Sequence, residues 1–229
     1  MFHVKICGVT DPDDARLAVA AGADAIGINF VPGSPRRLDA SAARAVVAAI
    51  PAHVLKVGVF AGASPADMLR LVRETGLDAV QLHGHLFGPA DAVDPPEACA
   101  ALDGLRVIRA VRLQADGFEA ARRWFAEAVR CGAAPAVALV DAGGGPGTSA
   151  GRLGGTGERV DWQALAREKP LGVPLALAGG LGPENVAEAI RVSGVAAVDT
   201  ASGVERAPGR KDAEKMRAFV AAARRALGL

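Results

Sequence analysis

Cys7, Asp141 and Arg36, with the turns at Gly179-Gly180 and Ser202-Gly203, are the residues of this chain whose types and settings could do chemistry. They are reactive or anion-binding types. Cys7 closes a short aliphatic run with Lys5 two positions earlier. If that run is a strand, alternation puts both side chains on one face, and a cation beneath the thiol favours the thiolate, the form that takes a proton. A buried ammonium itself needs a partner, and Asp199, at the end of the last such run, is the candidate. Inert core packing is the alternative for an isolated cysteine.

Asp141 ends the run Ala-Val-Ala-Leu-Val, where an acid is seldom present for packing, though it could instead cap the following loop. The Gly179-Gly180 turn lets backbone N–H groups approach an anion, and Ala201-Ser202-Gly203 adds further N–H groups and a hydroxyl. Either pair alone could simply make a tight turn; together they favour phosphate. Arg36 suits bidentate recognition of a carboxylate and could equally be a solvated surface arginine. Gln81 and His83 share one face of a run and read more readily as hydrogen-bonded core polars than as ligands. His3, His53 and His85 form no metal-binding pattern with them.

Eight elements must carry these residues. Short β-branched or aliphatic runs occur at 3–7, 25–30, 54–60, 79–83, 105–111, 136–141, 173–178 and 196–199. Between them lie helical patterns at 12–21, 40–50, 65–74, 95–102, 118–129, 161–166, 183–192 and 212–227. Ala21-Gly22-Ala23-Asp24-Ala25-Ile26, Thr75-Gly76-Leu77-Asp78-Ala79-Val80 and Ser193-Gly194-Val195-Ala196-Ala197-Val198 repeat one joint, a glycine stopping a helix before a strand. Eight alternations predict an α/β fold, a single (β/α)8 TIM barrel over residues 1–229, in which the βα loops at the strands' C-terminal ends hold the site. An open doubly wound sheet is disfavoured by the strand count and by Cys7-Gly8-Val9-Thr10 where G-x-G-x-x-G would stand.

The 229 residues are 51% hydrophobic and only 4% aromatic, so the core is built from Ala, Val, Leu and Ile. Lys and Arg total 26 against 25 Asp and Glu, a net charge of +1 that argues for no nucleic-acid or membrane partner and leaves a small molecule. Three separated cysteines fit neither a disulfide framework nor a zinc site, and a reducing cytoplasm is the expected location. The opening residues show no export signal.

These motifs resemble the phosphoribosylanthranilate isomerase family. The resemblance is carried by Lys5-Ile6-Cys7-Gly8-Val9-Thr10, Ser34-Pro35-Arg36, Val57-Gly58-Val59-Phe60, Val80-Gln81-Leu82-His83-Gly84, Leu177-Ala178-Gly179-Gly180-Leu181-Gly182-Pro183-Glu184-Asn185-Val186 and Val198-Asp199-Thr200-Ala201-Ser202-Gly203-Val204-Glu205, and it runs to Lys211-Asp212. It implies a metal-free, cofactor-free Amadori rearrangement of N-(5-phosphoribosyl)anthranilate in tryptophan biosynthesis, by a monomer or homodimer. Under it Asp141 is the general acid, Cys7 the general base and Arg36 the carboxylate ligand. Gly155, Thr156, Gly179, Gly180, Asp199, Ser202 and Gly203 belong to the substrate-binding set. Two features depart from the family pattern: Arg37 stands where an aromatic is usual, and the glycine-rich stretch after Asp141 is longer. A histidine-pathway isomerase would carry aspartate in place of Cys7 and two similar half-barrels. A non-catalytic sugar-phosphate barrel would not need Cys7 or Asp141 for anything beyond folding.

Overall fold

In the computed structural model, which describes residues 1–84, 94–102, 104–114, 116–141 and 160–229, eight parallel strands pair in chain order and the last closes on the first. They are β1 (Val4–Cys7), β2 (Ala25–Asn29), β3 (Leu55–Phe60), β4 (Ala79–Leu82), β5 (Arg106–Val111), β6 (Val137–Val140), β7 (Leu175–Leu177) and β8 (Ala197–Thr200). The helices that cover them are α1 (Pro12–Ala20), α2 (Ala40–Ala48), α3 (Pro65–Thr75), α4 (Pro96–Ala100), α5 (Glu119–Arg130), α6 (Trp162–Arg167), α7 (Val186–Ser193) and α8 (Ala213–Leu227). The expected (β/α)8 barrel is present. Among the described residues no helix is long and apolar enough to cross a membrane.

Local chemistry sets the element ends. The side chains of Asp11, Asp39, Ser64, Asp161 and Asp212 accept first-turn N–H groups of α1, α2, α3, α6 and α8. The three glycines of the repeated joint, Gly22, Gly76 and Gly194, all have positive φ, a conformation other residues enter only at a cost.

Strand alternation divides the core. Val4 and Ile6 of β1, and Ile26 and Ile28 of β2, belong to the large apolar layer under the helices. The barrel interior is lined by small residues such as Ala25, Ala79, Ala176 and Ala197 with Val57, Ile108, Val137 and Leu139. Small interior side chains leave room for Lys5, which points inward and is fully buried.

Two features depart from the sequence reading. Between β8 and α8 the chain makes a 3-10 turn (Ser202–Val204) and a hairpin of β9 (Glu205–Ala207) and β10 (Arg210–Lys211), turning at Pro208-Gly209 with Gly209 at φ +75°. The helix expected from residue 183 begins at Val186 instead. Asn185 holds a turn before it, accepting from Gly182 N at 2.9 Å and donating to Gly180 O at 2.9 Å.

Candidate active site

Lys5 and Asp199 are direct partners in the β1–β8 pairing. Lys5 Nζ lies 3.0 Å from Asp199 Oδ1, the partnership expected of a buried ammonium. Burial opposes the charge on Lys5, but attraction to Asp199 and Cys7 outweighs it and the group titrates above the ordinary lysine range. Cys7 stands one inward position further along β1, directly across from Gly27 of β2. Burial pushes the Cys7 thiol up; Lys5 and Lys211 pull it down but do not prevail. Lys5 thus acts on Cys7 in the direction expected from the sequence, and burial, which strand alternation alone does not weigh, is the larger effect.

Asp141 follows β6, its N–H continuing the ladder to Val111 O at 3.0 Å. His83, one residue beyond β4, places Nε2 3.2 Å from Asp141 Oδ2. Its other nitrogen, Nδ1, is 3.2 Å from Gln81 Nε2. An amide donor at Nδ1 leaves the imidazole proton on Nε2, where it is donated to the carboxylate. Among the described residues the buried Gln81 Oε1 atom has no hydrogen-bond partner. Sequence reading grouped Gln81 with His83 but missed their link to Asp141, since β4 and β6 meet only across the barrel mouth.

Gly179 and Gly180 follow β7 with φ of 82° and 62°, consecutive left-handed residues that expose their backbone toward the barrel mouth. The turn is braced by Asn185 and by Thr200 Oγ1, which donates to Leu181 O at 2.6 Å. Ser202 faces the same space. Gly203 does not line it: a Cβ at Gly203 would lie 1.8 Å from Leu181 O, so this glycine is required by the close packing of the two turns.

Arg36 is carried by the loop after β2, where Ser34 Oγ accepts its backbone N–H at 3.2 Å. Its guanidinium grips Glu205 at two points, Nε to Oε1 at 2.8 Å and Nη2 to Oε2 at 2.7 Å. Glu205 Oε1 also accepts from Lys211 Nζ at 2.9 Å. Burial works against the Glu205 carboxylate, yet Arg36 and Lys211 hold it below the usual range. Glu205 and Lys211 appeared in the sequence motifs without a role; the Pro208-Gly209 turn was the available signal that they are brought together. The Arg37 side chain is exposed.

Cys7, Arg36, Asp141, Gly179, Gly180, Asp199 and Ser202 thus line one cavity, with His83 and Gln81 among them. The space they line is open at its mouth, about 730 Å³ with the solvent in that mouth included. Around the barrel the order is Asp141 after β6, the glycine turn after β7, Asp199 and Ser202 at β8, Cys7 on β1, then Arg36 after β2. Gly155, Thr156 and His85 lie outside the described residues. Among the described residues no cluster of three His, Cys, Asp or Glu side chains could hold a metal.

The chain matches the family model for N-(5'-phosphoribosyl)anthranilate (PRA) isomerase over residues 4–222. It is 43% identical over 222 residues to the N-(5'-phosphoribosyl)anthranilate isomerase of Myxococcus xanthus (strain DK1622), covering 97% of this chain and 96% of that one. The fold is similar to a crystal structure of phosphoribosyl anthranilate isomerase in complex with reduced 1-(o-carboxyphenylamino)-1-deoxyribulose 5-phosphate, with a TM-score of 0.79, 33% identity and all of both chains covered. It is also similar, with a TM-score of 0.76 and 33% identity over all of both chains, to a structure of monomers generated from the dimeric isomerase of Thermotoga maritima.

Proposed function

Because this chain belongs to the phosphoribosylanthranilate isomerase family, an isomerase family of tryptophan biosynthesis, we propose that it rearranges N-(5-phosphoribosyl)anthranilate with Asp141 as general acid and Cys7 as general base. The observation that carries this reading is the shared cavity: a carboxyl group, a thiol, an arginine and an anion-binding glycine turn all face one space.

Asp141 gives a proton to the ribose ring oxygen as the C1–O bond breaks, and the anilino nitrogen lone pair forms the C1=N Schiff base. Cys7 then takes the C2 proton; the C–H electrons make the C1=C2 bond and the imine pair returns to nitrogen. The resulting enolamine loses its C2 hydroxyl proton and gains one at C1, giving the 2-ketose. C1 is reduced as C2 is oxidised, so the sugar supplies both electrons and no cofactor is required. Acid and base on separate strands, with β7 and β8 between them, reach the sugar from different sides.

Arg36 pairs with the anthranilate carboxylate, while the Gly179-Gly180 turn and Ser202 take the phosphate, Gly203 allowing the close packing of the two turns. Gly155 and Thr156 complete that set from outside the described residues. Asp199 acts beside the substrate with its charge balanced by Lys5. The protein works as one barrel domain over residues 1–229, as a monomer or homodimer, in the cytoplasm, where its three unpaired cysteines stay reduced.

The test is fluorescence-monitored consumption of phosphoribosylanthranilate by wild type, Cys7→Ser and Asp141→Asn. Each substitution is expected to cost about 10²–10⁴ in kcat. Turnover that survives both removes the site assignment, and no turnover by wild type removes the function.

A further inference from the structure

Arg36 recognises nothing reliably unless its guanidinium is held still, since it sits on a loop at the end of a long, flexible side chain. The stem is seated against the turn after β1, so closely that a Cβ at Gly8 would lie 2.3 Å from Arg36 Cδ. The Nε and Nη2 edge is occupied by the two Glu205 oxygens. That leaves the Nη1–Nη2 edge with two parallel N–H groups, and Arg36 lines the cavity.

An arginine paired to a glutamate alone is electrically neutral, and the glutamate would repel a second carboxylate. Here Lys211 Nζ lies 2.9 Å from Glu205 Oε1, with its side chain fully buried behind the pair. Two cations therefore share one anion, and the cluster keeps a net positive charge. The same ammonium donates to Ala201 O at 2.9 Å, on the turn that carries Ser202. Gly209 N and Lys215 Nζ add bonds to the Glu205 carboxylate and backbone carbonyl, at 3.3 Å and 2.9 Å.

We propose that Glu205 is a positioning residue that aims Arg36 at the substrate carboxylate, and that Lys211 offsets its charge so that the arginine still attracts an anion. This rests on the reading of Arg36 given above. It makes the hairpin after β8 part of the specificity apparatus, linking the carboxylate end of the site to the turn proposed for phosphate.

The test uses two ligands titrated calorimetrically into the full chain: reduced 1-(o-carboxyphenylamino)-1-deoxyribulose 5-phosphate and the same compound with an unsubstituted phenyl ring. Glu205→Gln is expected to weaken the carboxylate-bearing ligand about tenfold or more and the phenyl ligand less than about twofold, the loss expected for one charge-assisted contact. Glu205→Asp, which keeps the charge but shortens the reach, is expected to lower the same affinity ratio. Arg36→Met serves as the reference for full loss of discrimination. Equal weakening of both ligands in the glutamate variants, or no change in either, overturns the proposal. If Arg36→Met leaves the ratio intact, the reading of Arg36 fails as well; if it collapses the ratio and the Glu205 variants do not, only the present inference fails.

Discussion

His83 donates Nε2–H to Asp141 Oδ2 across 3.2 Å, with its tautomer set by Gln81 at the opposite ring nitrogen. A donor on this carboxylate gains strength as the proton leaves, so it favours Asp141 delivering a proton to the ring oxygen. His83→Leu is therefore expected to lower kcat by about tenfold or more, the worth of a hydrogen bond to a charged group, with KM within about twofold. Steady-state kinetics decide it: a raised KM with kcat unchanged would assign His83 to ground-state binding instead.

The pH dependence of kcat/KM follows from the burial of Cys7. A free cysteine ionises at about 8.5, and burial, opposed by Lys5 and Lys211, raises the Cys7 thiol above its ordinary range. A base must be deprotonated to act, so in Asp141→Asn, which carries no titrating acid, the residual kcat/KM is expected to climb with pH above neutrality and to level only on the alkaline side of that value. Lys5→Met removes a cation that favours the thiolate and moves the break further up. A break at or below neutrality would show that something other than Cys7 takes the proton.

Gly27 controls where the thiol sits. It is the strand partner of Cys7, and a Cβ there would stand 2.6 Å from Cys7 Sγ and 3.1 Å from Cys7 Cα. Gly27→Ala is expected to displace the sulfur and reduce kcat by about tenfold to a hundredfold, while overpacking costs about 1–3 kcal/mol of stability. Urea unfolding and kcat are measured on the same sample. Unaltered turnover in a folded variant contradicts a role for Cys7 that depends on its position.

The barrel was legible in the sequence because each strand and helix announces itself locally, through aliphatic runs, caps and the glycine joints at Gly22, Gly76 and Gly194. The Lys5–Asp199 pair was legible too, since alternation and barrel closure together bring the two strand positions side by side. What sequence reasoning missed depends on relations without a local period. His83 meets Asp141 across the mouth, Glu205 reaches Arg36 from a hairpin that follows β8, and Gly203 answers to a carbonyl on another loop. The net effect of burial on Cys7 likewise emerges only when the surrounding atoms are in place. For Arg37, exposure is all the structure adds.

The last prediction concerns stability. Lys5 is fully buried with its ammonium against Asp199, so Lys5→Met strands a buried carboxylate and is expected to cost about 3–5 kcal/mol. Replacing both partners with apolar residues, Lys5→Met with Asp199→Leu, restores most of that loss because no unpaired charge remains. The pH sign is set by Lys5, whose folded-state value is raised by Asp199 and Cys7 against the opposing effect of burial. Its contribution is therefore complete below the unfolded lysine value of about 10.4, and is lost as pH rises through the higher folded value. Urea denaturation of wild type and Lys5→Met should give a gap that narrows as pH rises above the unfolded lysine value of about 10.4. A gap that fails to narrow above that value, or a double variant no more stable than Lys5→Met, would mean that Asp199 is not held by this ammonium.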